Sequence, residues 1–508
     1  MRRHYDVIVL GRSIGALTAA AILARRDFTV LVLGNGSPAP NYNIGEFLLH
    51  RRAFSLLGAT SPCWTRVISE LAQSQTWRRR LVPSEPALQA LSPGFRVDLA
   101  NEEALFAREI DREFPELYHV VQQLYQQLDA VNQAADEAFD KDAMWPPGTF
   151  WERRETGKHA ARLPYVHAEP DADLLAEFPR GHFYRRLVRN SVVFATNFSA
   201  LPPPFAVARL HGAWRRNSAR LAEGEAELES FLVERIENHG GQCRLSDKAT
   251  AIHLRRGVAA GVILDGDDQP TGCEFVLTDL DGESVATLAG GQGIHKGALR
   301  EWPRITSTVG RFAVSIVVRS EGLPTPLGRG ALLFVDPNLY PRGFPQVLHL
   351  SRTSRASGIS VLVGEIMLPD HGPLGLPDAR RFVLESVLRE FPFLDRHLLM
   401  VDSVNDGLPA WSFERGAMRE VHRRDVALPQ IEPMVRQLEV DPPGYLGFGG
   451  EPIRGPIERT LLLGRSVLPG LGQEGELLAA WGAARLVTRS DRRKALMRRD
   501  TWTKMEIG

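Results

Sequence analysis

Cysteine is scarce: Cys63, Cys243 and Cys273 stand alone in 508 residues, with no CxxC pair and no cluster of cysteine and histidine at metal-ligand spacing. That pattern excludes a disulfide framework and a zinc-ligand cluster, so no metal site is expected. An excess of either charge is also missing. Lys+Arg and Asp+Glu number 61 each, so no global field points to nucleic acid or to an acidic partner. Only six of those cations are lysine, an arginine excess for which coding bias is the simpler explanation. Long apolar runs are absent too, because Arg25-Arg26-Asp27 interrupts the longest. Met1-Arg-Arg-His4 leads straight into apolar sequence, and neither a secretory leader nor a membrane-spanning anchor is expected. Together with the isolated cysteines, this points to a reducing, cytoplasmic setting.

What is present is an ordinary globular composition, 44% hydrophobic and 24% charged. The length exceeds what one core organises, so two domains that interleave along the chain are expected. The first 34 residues carry the most specific signal. Tyr5-Asp-Val-Ile-Val-Leu-Gly11 reads as a buried strand, Gly11-Arg-Ser13-Ile14-Gly15-Ala16 as a glycine-rich turn opening an alanine-rich helix to Arg26, and Phe28 to Leu33 as a second buried strand. This is the βαβ unit of a dinucleotide-binding fold. Gly11 suits the sharp turn, and the helix start offers free N–H groups and a positive dipole end to phosphates. At the end of the second strand, where such a unit usually places a ribose-binding acid, stands Gly34. The next acid is Glu46, so either Glu46 or a backbone carbonyl is the candidate substitute.

Residues 35 to 95 read as a loop with short helical pieces and a basic surface run, Arg78-Arg79-Arg80. From Glu102 to Phe139, apolar residues at three- and four-residue steps predict a long amphipathic helix. Core packing is its simpler reading, with the wall of a lipid cavity or a membrane-facing surface as the alternative. Trp145-Pro-Pro-Gly ends it, and a loop-rich stretch to about residue 180 follows. Helices are expected over 206–214 and 225–239, the second closed by Gly240-Gly241. Short strands at 242–245, 249–255, 259–264 and 274–278 form a meander laid on the first sheet. Strands at 311–318, 331–335, 346–350 and 360–367 with a helix at 378–391 make a second sheet, and 408 to 460 is turn-rich, with Trp411, Tyr445 and Phe448 as candidates for a cavity wall. The tail returns to the pattern of the start. A strand reaches Gly464-Arg465, then Pro469-Gly470-Leu-Gly472-Gln473-Glu-Gly475 opens a helix with small residues on one side.

Taken together, the opening βαβ, the Gly240-Gly241 helix end with its meander, and the Gly464 to Gly475 turn-helix resemble the phytoene desaturase and carotene isomerase branch of the FAD-dependent amine oxidase-like superfamily. The resemblance implies an α/β fold in which a Rossmann-like FAD-binding domain, a central parallel sheet plus β-meander, is interleaved with an α+β substrate domain. The corresponding partition is 1–95, 225–300 and 456–508 for the cofactor domain, and 96–224 and 301–455 for the substrate domain. It implies FAD lying between Gly11, Ser13, Ile14, Gly15 and Ala16 on one side and Gly470, Gly472, Gln473 and Gly475 on the other. Ala249 would meet the adenine. Three residues depart from the family pattern. Ser13 replaces a glycine, Gly34 the ribose acid, and Gly464-Arg465 a Gly-Asp pair whose acid holds the ribityl chain. Arg465 is expected to pair with the pyrophosphate instead.

Two functions follow. One is an FAD-dependent oxidoreductase that desaturates or isomerises a hydrophobic, polyene- or isoprenoid-like substrate by hydride transfer to flavin. The cofactor carries that chemistry, so no catalytic side chain is identified, and none of the 14 histidines falls in a motif for a base. The alternative is a non-catalytic member that binds a lipid, a prenyl group or a protein without FAD, as the GDP dissociation inhibitors and Rab escort proteins of the same superfamily do. Peripheral membrane contact through Arg78–Arg80 or the basic tail at 492–499 is compatible with either.

Overall fold

A computed structural model describes residues 4–166, 173–216, 219–355, 357–414, 416–422 and 431–490. The opening strand, His4–Leu10, is apolar on both faces because it lies in the middle of a sheet covered on both sides. It pairs in parallel with Val30–Leu33 on one side and with Thr271–Thr278 on the other. Gln242–Arg244 extends the sheet beyond the second strand, and Thr460–Leu462 lies parallel to Thr271–Thr278. The strands Ala249–Arg255 and Val258–Leu264 add an antiparallel meander, which completes a 7-stranded sheet among the described residues. The helices Ile14–Arg25 (the opening helix) and Gly472–Ser490 (the closing helix) pack against each other. Their alanine-rich faces leave no bulk to hold the two backbones apart.

The second sheet is 10-stranded and mostly antiparallel, organised on the 16-residue strand Arg304–Arg319. Helix Leu376–Glu390 buries Phe382, Val383 and Val387 in that sheet's core. The helices Tyr118–Phe139, Phe183–Ala195 and Pro204–Arg215 belong to the larger core that also contains the opening unit. The architecture is therefore a Rossmann-like parallel sheet with its meander, interleaved in sequence with a second α+β region.

Several local expectations need correction. The helix predicted over 102–139 is two helices, Glu103–Glu113 and Tyr118–Phe139, separated at Phe114-Pro115, where proline has no N–H to continue the ladder. Helix Phe150–Ala160 stands within the stretch read as loop, started by a reciprocal capping box between Thr149 and Glu152. The turn-rich stretch 408–460 contains strands Ala410–Glu414, Ala417–Val421 and Val435–Asp441. Strands Leu88–Ser92 and Phe95–Leu99 join the second sheet, so the chain crosses to it ahead of residue 96. Trp411 packs under Arg380, and Phe448 is fully buried against Phe205 and Tyr445. None of these three aromatics lines the cavity described below.

Candidate functional site: the crevice between two helix starts

The site expected from sequence lies at the carboxyl ends of the parallel strands, where ligands of open α/β sheets bind. Register fixes what meets there. Leu10 is paired with Thr278, so Asp279 leaves the sheet beside Gly11. Gly11 has φ +116°, and a Cβ on it would lie 2.0 Å from the Asp279 carboxyl. The turn accepts only glycine because that side chain fills the concavity.

The N–H groups of the opening turn already have partners. Ser13 N–H donates to Asp279 Oδ2 at 3.0 Å, and Gly15 N–H donates to Glu476 Oε2 on the closing helix at 3.3 Å. Ala16 N–H donates to Ser13 Oγ at 3.2 Å, which makes Ser13 the helix N-cap and gives a local reason for serine in place of glycine. Arg12 points away and forms a two-pronged ion pair with Glu229. Ile14 lies at the edge of the remaining cavity.

The two carboxyl groups are unusual in charge as well as place. Burial pushes Asp279 above the ordinary carboxylate range, and the N–H groups of Ser13 and Arg12 oppose that rise only in part. Glu476 is pushed up to about 7, by burial first, with Arg465 and the Gly15 N–H pulling the other way. Each is an acceptor held in a dry place by backbone donors, where an unpaired polar group would carry a large desolvation cost.

The residues expected at the ribose and the adenine have close neighbours in the chain itself. Gly34 has the Leu245 carbonyl against it, so close that a Cβ would lie 1.9 Å away. Asn35 N–H donates to the Asp247 carbonyl at 2.9 Å, and Ala249 N–H donates to Asn35 Oδ1 at 3.2 Å. The loop after Gln242–Arg244 therefore covers the end of the second strand. Of the two substitutes expected for the missing acid, the backbone carbonyl is the one beside Gly34. Glu46 is exposed in the turn between Asn41–Ile44 and Phe47–His50.

At the closing end, Gly470 N–H donates to the Phe448 carbonyl. Side chains at Gly464, Gly472 and Gly475 would meet the carbonyls of Asp279, Ala195 and Leu468 respectively. Gln473 clasps residues 55–57: Leu57 N–H donates to its Oε1 at 3.1 Å, and its Nε2 donates to the Ser55 carbonyl at 2.8 Å. Arg465 shares a cavity wall with Ile14 and Glu476 and has partners within the chain. Its Nε donates to Asn197 Oδ1 at 2.7 Å and its Nη1 to the Arg436 carbonyl at 3.0 Å, and both partners are remote in sequence. Burial, and then Arg311, hold its guanidinium down to about 9.

What remains open is a polar cavity of about 60 Å³, with Arg52, Asn197, Arg311, His349, Arg465 and Glu476 in its wall. That is room for a few water molecules, at roughly 10–15 Å³ of such space for each. Burial and the neighbouring arginines push His349 down to about 3, so it stays neutral. The N–H groups of Ser13 and Gly15, where a pyrophosphate is expected, are thus held by carboxyl groups of the chain in this structure. Gly34 and Ala249, expected at the ribose and the adenine, likewise pack against the chain's own Leu245 carbonyl and Asn35 side chain.

Two other places were weighed. Ser191, His211 and Tyr125 form a buried row with Ser191 Oγ 2.7 Å from His211 Nδ1 and Tyr125 Oη 2.8 Å from Nε2. Ser191 Oγ also donates to the Val188 carbonyl at 2.8 Å, and all three side chains are buried. A broad groove of about 1140 Å³ opens at the amino ends of the parallel strands, near His4, Lys296, Trp302 and Arg454. Its charges are of both signs and largely paired: His4 and Arg459 both engage Glu274, and Arg454 pairs with Glu152.

No family model matches this sequence, and no curated protein does. Solved structures do match in fold. An oxidoreductase from Methanosarcina mazei aligns with TM-score 0.56 at 13% identity over 94% of this chain and 99% of its own. Cyclohexylamine oxidase from Brevibacterium oxydans aligns with 0.55 at 14% identity, covering 96% and 99%. A putrescine oxidase variant redesigned in cofactor binding aligns with 0.54 at 12% identity, covering 96% and 99%. At such identities the likeness is one of fold, and this chain has the two-domain fold of these oxidoreductases. The Rossmann-like flavoprotein architecture implied by the sequence is present from end to end.

Proposed function

We propose that this chain is a non-catalytic member of the flavoprotein fold, a binding module that works without FAD. The occupied opening turn carries this reading, because Asp279 and Glu476 sit on the N–H groups of Ser13 and Gly15. Its ligand, a lipid or prenyl group or a protein partner, then contacts the outside of the fold. Arg78 and Arg79 are exposed and supply a small basic face for anionic headgroups. The basic tail at 492–499 lies outside the described residues. No helix among the described residues is long and apolar enough to cross a membrane.

The second reading is FAD-dependent desaturation or isomerisation of a hydrophobic, polyene-like substrate. The shared oxidase fold and the glycines of both turns support it, but it needs the loop at 245–248, Asp279 and Glu476 to move aside together. Adding FAD to the purified protein separates the two. The binding-module reading expects no quenching of flavin fluorescence and no change in Tm. Saturable quenching with a Tm that climbs with FAD concentration, as linkage requires of any ligand selective for the native state, overturns it in favour of the flavin enzyme.

A further inference from the structure

The crevice is closed by residues from three distant parts of the chain, and two of them have a chemistry in common. Asp279 follows the strand Thr271–Thr278, and Glu476 stands in the closing helix 197 positions later. Both place a carboxyl oxygen on a backbone N–H of the opening turn. A helix start of this kind is suited to anions because its first N–H groups have no intrahelical acceptor and the dipole is positive there. In a dinucleotide-binding protein the pyrophosphate supplies the acceptors. Here the opening helix has a hydroxyl cap from Ser13 and two carboxyl groups, which take the N–H groups of Ser13, Gly15 and Ala16.

We propose that Asp279 and Glu476 are the resident replacement for a dinucleotide pyrophosphate, the pair that completes the opening turn from within and excludes a phosphate ligand from it. This deepens the flavin-free reading and rests on it. Three observations support the pair as the excluding device. Asp279 fills the concavity of Gly11, with a distance of 2.0 Å from a notional Cβ to the carboxyl. Glu476 is itself buried, although it stands in a cavity wall. The Asp279 backbone is anchored at the sheet edge, since its N–H donates to the Leu10 carbonyl at 3.1 Å, and the neighbouring Leu463 N–H donates to the Thr278 carbonyl at 2.8 Å.

The test uses inorganic pyrophosphate, the anion alone, on the full chain. Wild-type protein is expected to show no Tm change beyond that of potassium chloride at matched ionic strength. The Asp279→Ala/Glu476→Ala double variant, folded by far-UV circular dichroism, is expected to gain a saturable Tm rise of several degrees. A folded double variant indifferent to pyrophosphate overturns the inference, and so does a wild type that responds as strongly as the variant. Hydrogen exchange on the wild type decides the matter if the variant does not fold. The peptide spanning 11–17 is expected to be protected without any ligand and unchanged by pyrophosphate. Fast exchange that slows when pyrophosphate is added contradicts the proposal. The flavin-free reading fails separately, by wild-type protein that binds FAD. A wild type that binds neither FAD nor pyrophosphate, with a folded variant that stays indifferent, leaves that reading intact and removes only the role of the pair.

Discussion

The two helix starts that face each other across the crevice share a glycine-rich approach and differ in what holds them. At the opening helix, carboxyl groups sit directly on backbone N–H groups, and the turn around Gly11 is filled by one of them. At the closing helix, the first turn is held by side chains reaching outward. Gln473 clasps residues 55–57, and Glu474 forms a two-pronged ion pair with the buried Arg209 at 2.8 and 2.7 Å. Glycines at both ends preserve the backbone shape of a cofactor crevice. Shape and occupant are separate properties. The first is written in a dozen consecutive residues, while the second is decided by acids and amides hundreds of positions away.

That difference can be broken at either end. The largest effect is expected at the closing helix. Arg209→Ala leaves Glu474 without its partner in a mostly buried place and should lower unfolding free energy by about 3–5 kcal/mol, read from the midpoint of a urea transition. Next is Gly11→Val, which meets the Asp279 carboxyl at a positive φ; a loss of about 3 kcal/mol is expected. An unchanged midpoint in Gly11→Val would mean that Asp279 is not in the concavity. Ser13→Ala removes the cap from Ala16 N–H and should lower stability by about 1 kcal/mol, a smaller effect because one donor alone loses its acceptor.

The last prediction is a matter of slope. Folding raises the pKa of Glu476 to about 7, so the native state holds its proton more tightly than the unfolded chain does. The contribution of this group to stability is fully present below the unfolded carboxyl pKa, about 4.3, and is lost as pH rises through about 7. Tm should therefore fall between pH 5 and pH 8 through this group, and Glu476→Gln should flatten that part of the profile. A variant with the wild-type slope would show that Glu476 is not buried on the Gly15 N–H.

Much of the fold was legible in sequence because it is built from local periodicity. The alternation and apolar density of residues 5–33, the meander from 249 to 278 and the small-residue face of the closing helix all reach the structure in the places expected. The crevice was legible only as an outline. Asp279 stands one position beyond a strand that was expected to end at Thr278, but its meeting with Gly11 depends on the parallel pairing of two strands 267 positions apart. An acid immediately after a buried strand in such a sheet is the signal that marks it. Glu476 carried no signal, because an acid on the second turn of a helix reads as surface. Arg465 was read toward the pyrophosphate because Asn197 and Arg436, its actual partners, come close only through tertiary packing. Asn35 likewise read as a turn residue, although its side chain takes the Ala249 N–H.

On the proposed reading, this fold is complete without a nucleotide. The most direct measurement is the absorption spectrum of the protein purified from flavin-replete cells, before and after denaturation. The account predicts a colourless protein with no flavin released. A flavin spectrum in near-equimolar amount, set free on denaturation, would contradict it.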